Sequence, residues 1–215
     1  APWTCDLLIV GGTVVTMDGG RRVIEDGAVA IKDGKVAMVG PRAVVIKNLR
    51  AKQTINAAGK AVIPGLINTH THVPMSLFRG ISDDLDLQEW LTKFIFPAEA
   101  KNVTEQFVRA GTRLGLAEMI RGGTTCCNEN YFFPDAMALA YQRLGFRAAI
   151  SIPVIDFPSA WAASQDEYFD KGLAVHDAFR SSPLLSFSMA PHAPYTVNDA
   201  GFERIRRYSE QLDLP

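Results

Sequence analysis

Between residues 6 and 62, apolar and polar positions alternate in short bursts, "DLLIVGG", "TVVTM", "GAVAIK" and "KVAMVG", the rhythm of half-buried strands. The last two are joined through Asp33-Gly34, a two-residue hairpin signal, so this stretch predicts a small β module. Gly11-Gly12 follows a strand, but no GxGxxG is present and the next residues are β-branched, which excludes a dinucleotide loop. Beyond residue 62 the rhythm changes. Apolar runs at "AVIPGLINT", "TTCCNEN", "RAAISIPVI" and "LLSFSMAPH" read as strands, and longer segments at helical spacing separate them. These segments are "DLQEWLTKFIFPAEA", "TEQFVRAGTRLGLAEMIRGG", "PDAMALAYQRLG" and "SQDEYFDKGLAVHDAFRSS", and a last helix opens at Asn198. Gly122-Gly123 supplies the stop of the second of them.

Strands alternating with helices predict an α/β fold of parallel βα units, four in this chain. Four units are half of an eight-stranded barrel, which needs about 250 residues by itself. A fourth strand left as an open edge would expose unpaired backbone groups. The residues are therefore expected to be the front portion of a longer polypeptide: 1–62 as part of a β-sandwich, 63–215 as the first half of a TIM-type (β/α)8 barrel.

Composition narrows the partners. The 215 residues are 47% hydrophobic and 21% charged with a formal net charge of -1, a globular profile without a basic block, so neither nucleic acid nor an anionic membrane surface is expected to bind. Three cysteines, Cys5, Cys126 and Cys127, make no disulfide framework and no CxxC pair, which favours a reducing compartment. The N-terminal apolar run lacks a basic leader and is interrupted by Gly11-Gly12, so neither a signal peptide nor a membrane span is read there and the cytoplasm is expected. Asn102-Val103-Thr104 is then a chance match to a glycosylation acceptor.

The stretch "VIPGLINTHTHVPMSLFRG", residues 62–80, carries the chemistry. Side chains alternate faces along a strand, so His70 and His72 leave one face while Thr71 leaves the other. At the C-terminal end of a barrel strand, where barrel enzymes build their active sites, the two imidazoles would converge on one point. Neutral imidazole suits Zn²⁺ or a similar borderline ion better than Ca²⁺ or Mg²⁺. His-x-His alone is a weak signal; Pro64-Gly65 before it, and Arg79-Gly80 with an acidic-aromatic helix after it, make ordinary packing a poor account.

Together with "DLQEWL", that stretch resembles the first-strand signature of the amidohydrolase superfamily. Within it the likeness is to the branch of methylthioadenosine/S-adenosylhomocysteine deaminases, with triazine chlorohydrolases and guanine deaminases as neighbours. "FPAEA", "EMIRGGTT", "GFRAAI" and "APHAPYT" resemble the same branch in the same order, and "DLLIVGGTVVTMD" and "GAVAIKDGKVAMVG" resemble the start of the family's β-sandwich, so the resemblance spans essentially the whole chain.

The resemblance implies hydrolytic deamination of an adenosine-type nucleoside at purine C6 with release of ammonia, dependent on one Zn²⁺, or Fe²⁺ or Mn²⁺ in its place. It puts His70 and His72 among the metal ligands. The other ligands, on the fifth, sixth and eighth strands, and the glutamate proton shuttle would lie beyond Pro215, so no catalytic acid or base is expected in this segment. Glu99 matches the carboxylate that holds ribose hydroxyls, and an ionised acceptor makes a strong, orienting bond. His192, between Pro191 and Pro194, matches a substrate-contacting histidine. Trp90 either packs on the purine or fills core beside Leu87 and Leu91. A homo-oligomer is expected. His176, mid-helix without a partner, reads as a surface residue.

One departure bears on specificity. Relatives that accept S-adenosylhomocysteine place arginines after the third strand, whereas "SIPVIDFPSAWAASQDEY" has no lysine or arginine. Methylthioadenosine, adenosine or 5'-deoxyadenosine-like substrates are therefore expected to be preferred. Two other readings stand beside this one: an amidohydrolase acting on a free base or triazine, and a catalytically incomplete scaffold, since two histidines do not close a zinc site.

Overall fold

The apolar run that opens the chain folds as one long strand, not two. In the computed structural model, which describes residues 2–215, β1 spans Trp3–Val15, and Gly11, at φ +82°, lets it continue through register slips on either side of Gly12. β1 pairs antiparallel with β2 (Val23–Lys32), which returns as β3 (Lys35–Pro41) through Asp33-Gly34, both at positive φ as a primed hairpin turn requires. After a single helical turn, α1 (Arg42–Val45), β4 (Leu49–Asn56) runs parallel to β1 on its other side. The hydrophobic pattern does not announce β4, because its outer half is exposed and "LRAKQTIN" carries few apolar residues. Cys5, Leu8, Ala28, Ala30 and Val45 form the core of this unit, which ends at Pro64.

The expected strand at 61–69 is two strands belonging to two sheets. β5 (Ala61–Val62) pairs with Thr13-Val14 of β1, whereas β6 (Leu66–Thr71) opens the second unit, Gly65–Pro215. Pro64, with no N–H to donate to a ladder, separates them.

The second unit is a four-stranded parallel sheet in sequential order: β6, β7 (Thr124–Glu129), β8 (Arg147–Val154) and β9 (Leu185–Pro191). The segment between β6 and β7 is helical in pieces. A 3₁₀ turn (Val73–Phe78) is followed by α2 (Leu87–Glu89), a π turn (Trp90–Ile95), α3 (Phe96–Asn102) and α4 (Glu105–Arg121). The single helix expected from Asp86 to Ala100 is thus broken, with Pro97 in the first turn of α3, where its missing N–H costs nothing. α5 (Pro134–Leu144), α6 (Gln165–Phe179) and α7 (Asp199–Leu212) complete the unit. Thr104, Ser164 and Asn198 cap α4, α6 and α7 by accepting from the backbone N–H three residues on. Val108, Leu116, Met137, Tyr141 and Ile150 are fully buried in the main core.

α4 comes close enough to fix the turn that leaves β6. A Cβ at Gly111 would sit 2.3 Å from the Pro74 carbonyl oxygen, and one at Gly115 would sit 2.5 Å from Val73 Cγ1. Only glycine admits this approach, and the turn it presses on begins at the residue after His72.

Candidate active site

Because β6 to β9 are parallel, their C-terminal ends share one side of the sheet. Backbone bonds continue past the strands there: Asn130 N–H donates to Thr71 O at 3.0 Å, and His192 N–H to Val154 O at 3.1 Å. His70 is in the last turn of pleat of β6, and His72 lies just past it, at φ -122° and ψ 70°, where the chain turns into the 3₁₀ segment. The two rings face each other edge-on, with centroids 4.9 Å apart and planes at 80°.

His72 Nδ1 is hydrogen-bonded to the Asn130 carbonyl oxygen. A carbonyl only accepts, so Nδ1 carries the proton and the lone pair is on Nε2. Burial pushes the His72 pKa below the usual imidazole range, against the opposing pull of that bond, and the neighbouring His70 and His192 lower it further. A neutral, oriented imidazole beside a second one is the donor set a borderline divalent cation takes, and the backbone carbonyl behind it is the usual outer support. These two positions fit part of such a centre and do not close one. Among the described residues no group of three or more His, Cys, Asp or Glu is arranged to hold a metal.

Next to His72 opens a cavity of about 570 Å³, within the range of small-molecule sites. Trp90, Glu99 and His192 all line it; His70 does not. Glu99, half-buried on α3, accepts the Tyr131 hydroxyl on Oε1 at 2.7 Å, leaving Oε2 without a protein donor among the described residues. Burial raises the Glu99 pKa, and the Tyr131 bond only partly offsets it. His192 sits at the rim, its Nδ1 2.9 Å from the Thr196 hydroxyl, and burial lowers its pKa as well. Trp90 does not fill core; it is half-buried and forms wall beside Leu91, Phe96 and Phe157. Among the described residues, no lysine or arginine lines the cavity.

Three residues of the site stand outside every motif read from the sequence. Glu129, at the end of β7, is 0% exposed, takes the Val73 N–H on both oxygens at 3.2 and 3.1 Å, and takes the Tyr141 hydroxyl at 2.9 Å. Burial pushes its carboxyl up to about 8. Tyr131 and Tyr141 are the other two; the run "NENYFFP" at a strand's C-terminal end contains Glu129 and Tyr131, while Tyr141 comes from α5. His176 corrects an expectation: it is buried at 8% exposure, packed edge-on against Phe187 with ring centroids 5.3 Å apart. Mid-helix position alone does not say which face a residue occupies.

A model of the amidohydrolase family matches residues 61–215. The 5-methylthioadenosine/S-adenosylhomocysteine deaminase of Saccharophagus degradans is 41% identical over 210 residues, covering 98% of this chain and 47% of that protein. The enzyme of that name from Syntrophobacter fumaroxidans is 44% identical over 193 residues, covering 90% and 44%. Among solved structures, an adenosine deaminase from Xanthomonas campestris with bound zinc superposes with a TM-score of 0.96 at 50% identity, covering 100% of this chain and 49% of that one. The atrazine chlorohydrolase of Arthrobacter aurescens shares the fold, with a TM-score of 0.83 at 22% identity over 96% of this chain and 51% of that one. The chain spans about half the length of the curated relatives it matches. It belongs to the amidohydrolase family.

Proposed function

We propose that this amidohydrolase contributes the first part of a metal-dependent hydrolytic deaminase of adenosine-type nucleosides. 5'-Methylthioadenosine, adenosine or 5'-deoxyadenosine-like substrates are preferred over S-adenosylhomocysteine. The observation that carries it is the shared cavity: His72, the free oxygen of Glu99, Trp90 and His192 meet around one nucleoside-sized space. The names of the relatives, of which this chain spans about half, and of the zinc-bound neighbour support the same chemistry.

In this reading the second unit is the first half of a (β/α)8 barrel and the first unit part of a β-sandwich. His70 and His72 hold a divalent cation, Zn²⁺ with Fe²⁺ or Mn²⁺ as alternatives. When bound, such an ion supplies Lewis acidity and makes its water ionise near neutral pH. His72 offers Nε2 because Asn130 holds its Nδ1 proton. Glu99 Oε2 accepts ribose hydroxyl protons, His192 meets the nucleoside at the rim, and Trp90 packs on the base. The apolar wall excludes water and so strengthens those polar contacts. No residue of this segment is assigned the proton transfer. With no cation on the wall, a substrate carboxylate would be desolvated without a partner, which supports the preference against S-adenosylhomocysteine. A cytoplasmic homo-oligomer completes the proposal; among the described residues no helix is long and apolar enough to cross a membrane.

Elemental analysis with an ammonia-release assay tests it. The purified full-length protein that contains this segment should carry about one metal ion per chain, lost in His72→Ala together with turnover. A protein that takes up no metal, or one that turns over S-adenosylhomocysteine faster than methylthioadenosine, overturns the corresponding part.

A further inference from the structure

A fully buried carboxyl group with no cation beside it needs an explanation, since isolated charge and unpaired polar groups are costly in a dry interior. Glu129 is such a group. Its contacts are Val73 N–H, on both oxygens, and the Tyr141 hydroxyl, which in turn receives the Cys127 thiol at 3.2 Å. No lysine or arginine pairs with it among the described residues.

What Glu129 holds is more telling than what holds it. The Thr71–Val73 and Glu129–Asn130 segments are stitched together three times: Asn130 N–H to Thr71 O, His72 Nδ1–H to Asn130 O, and Val73 N–H to the Glu129 side chain. The first two bonds use the Asn130 backbone, and the second of them gives His72 its tautomer. Val73 N–H lies beyond the end of β6, where no sheet ladder reaches it, and Glu129 is its acceptor. The turn beyond His72 is held by Met75 N–H to His72 O, by the Ser76 hydroxyl to Val73 O and by the close pass of α4, but the Val73 amide itself has Glu129 as its acceptor.

We infer that Glu129 is a positioning residue, whose side chain anchors the Val73 amide and so keeps the His72 ring against the Asn130 carbonyl with Nε2 unprotonated and aimed outward. The device needs an acceptor at this point, in either protonation state of the carboxyl. Tyr141 supports it from behind by fixing the Glu129 rotamer.

The test has one readout that needs no metal and one that does, the latter resting on the reading of His72 as a metal ligand. ¹⁵N shifts of the His72 ring report its tautomer, and competition titration with Zn²⁺ reports affinity. Glu129→Leu, which fills the space without an acceptor, should give a mixed His72 tautomer and 10- to 100-fold weaker Zn²⁺ binding, the usual effect of removing an outer support. Glu129→Gln keeps a carbonyl for Val73 and should restore the single tautomer and affinity to within about threefold, a rescue that a purely packing role would not require. A Glu129→Leu protein with the wild-type tautomer and affinity overturns the inference, as does a Glu129→Gln protein as impaired as Glu129→Leu. If Glu129→Leu does not fold, hydrogen exchange of the wild-type protein decides. A Val73 amide protected like the β7 amides supports the anchor, and one exchanging like a free loop amide overturns it. If wild-type protein binds no Zn²⁺ while its His72 tautomer depends on residue 129, the metal reading fails and the positioning role stands.

Discussion

Asp18 in the first unit and Glu129 in the second are both ringed by hydrogen-bond donors, yet they titrate in opposite directions. Asp18 is solvent-exposed and accepts from Arg22 at 2.8 Å, from the Thr16 hydroxyl at 2.7 Å and from Gly20 N–H at 3.1 Å; the guanidinium holds its pKa down to about 2. Glu129 has a comparable set of donors, and burial still drives it up to about 8. Water and a cation make the difference, and donors alone do not replace them. A second pair repeats the contrast. Asp6 lies on the surface 2.7 Å from Lys52 and is lowered, while Glu99, half-buried against Tyr131 with no cation, is raised. Surface carboxyls here form local turns and pairs worth little in stability. The two raised carboxyls are Glu129 at the C-terminal end of β7 and Glu99 on α3, which lines the cavity beside the strand ends, and carboxyls raised in such a place are candidates for chemistry.

The contrast extends to the glycines, and there it predicts the largest effect. Gly111→Ala places a methyl group 2.3 Å from the backbone oxygen of Pro74, which cannot swing aside as a side-chain tip would. The expected loss is about 3 kcal/mol, the upper part of the overpacking range, with Zn²⁺ affinity falling because the turn after His72 moves. Gly19→Ala, with nothing within 4 Å and no positive φ, should leave the melting temperature unchanged or slightly raised. Thermal melts of the two variants side by side check this, and equal costs would mean that α4 does not brace the site.

Next in size is Glu99→Gln. Losing a charged acceptor costs about 1.5–3 kcal/mol, so the Michaelis constant for a nucleoside should rise roughly 10- to 100-fold and that for a free base should barely move. Equal effects on both would favour a base or triazine substrate. The folded pKa of Glu99 is raised, so nucleoside binding should weaken as pH falls through a value above the ordinary glutamate range, and Glu99→Gln should flatten that dependence.

How far the sequence reveals such a site depends on what holds each residue there. His70 and His72 stand out in the sequence by their spacing alone; in the structure their rings lie 4.9 Å apart although only His70 is on β6 and His72 follows its end. Glu99, Trp90 and His192 are legible through motif likeness, and the cavity brings them together with His72. Glu129 is not, because its significance lies in a bond to Val73 across 56 residues, and no local pattern encodes that contact. β4 escapes for the opposite reason: an exposed edge partner needs little apolar sequence to pair with a neighbour already in place. The split of 61–69 into β5 and β6 follows from Pro64, which reads as part of one signature yet separates two sheets.

The smallest effect belongs to the exposed side of the comparison. Asp18 and Arg22 are i,i+4 partners on either side of a turn, both well exposed, and such a pair is screened by water and salt. Asp18→Asn should therefore melt with the wild-type protein at pH 7, within the error of the measurement. The pH dependence carries the information. The folded pKa of about 2 is below the ordinary value of 3.8, so the unfolded chain binds more protons between those values, and the stabilisation from Asp18 is present above pH 3.8 and lost as pH falls towards 2. Any margin of the wild type over the variant should therefore be constant from neutrality down to about pH 4 and should shrink to nothing near pH 2, and high salt should remove it throughout. A variant clearly destabilised at pH 7 and insensitive to salt would show that Asp18 supports the turn through Thr16 and Gly20 more than through Arg22, and the exposed carboxyls would then resemble the buried ones more than their titration suggests.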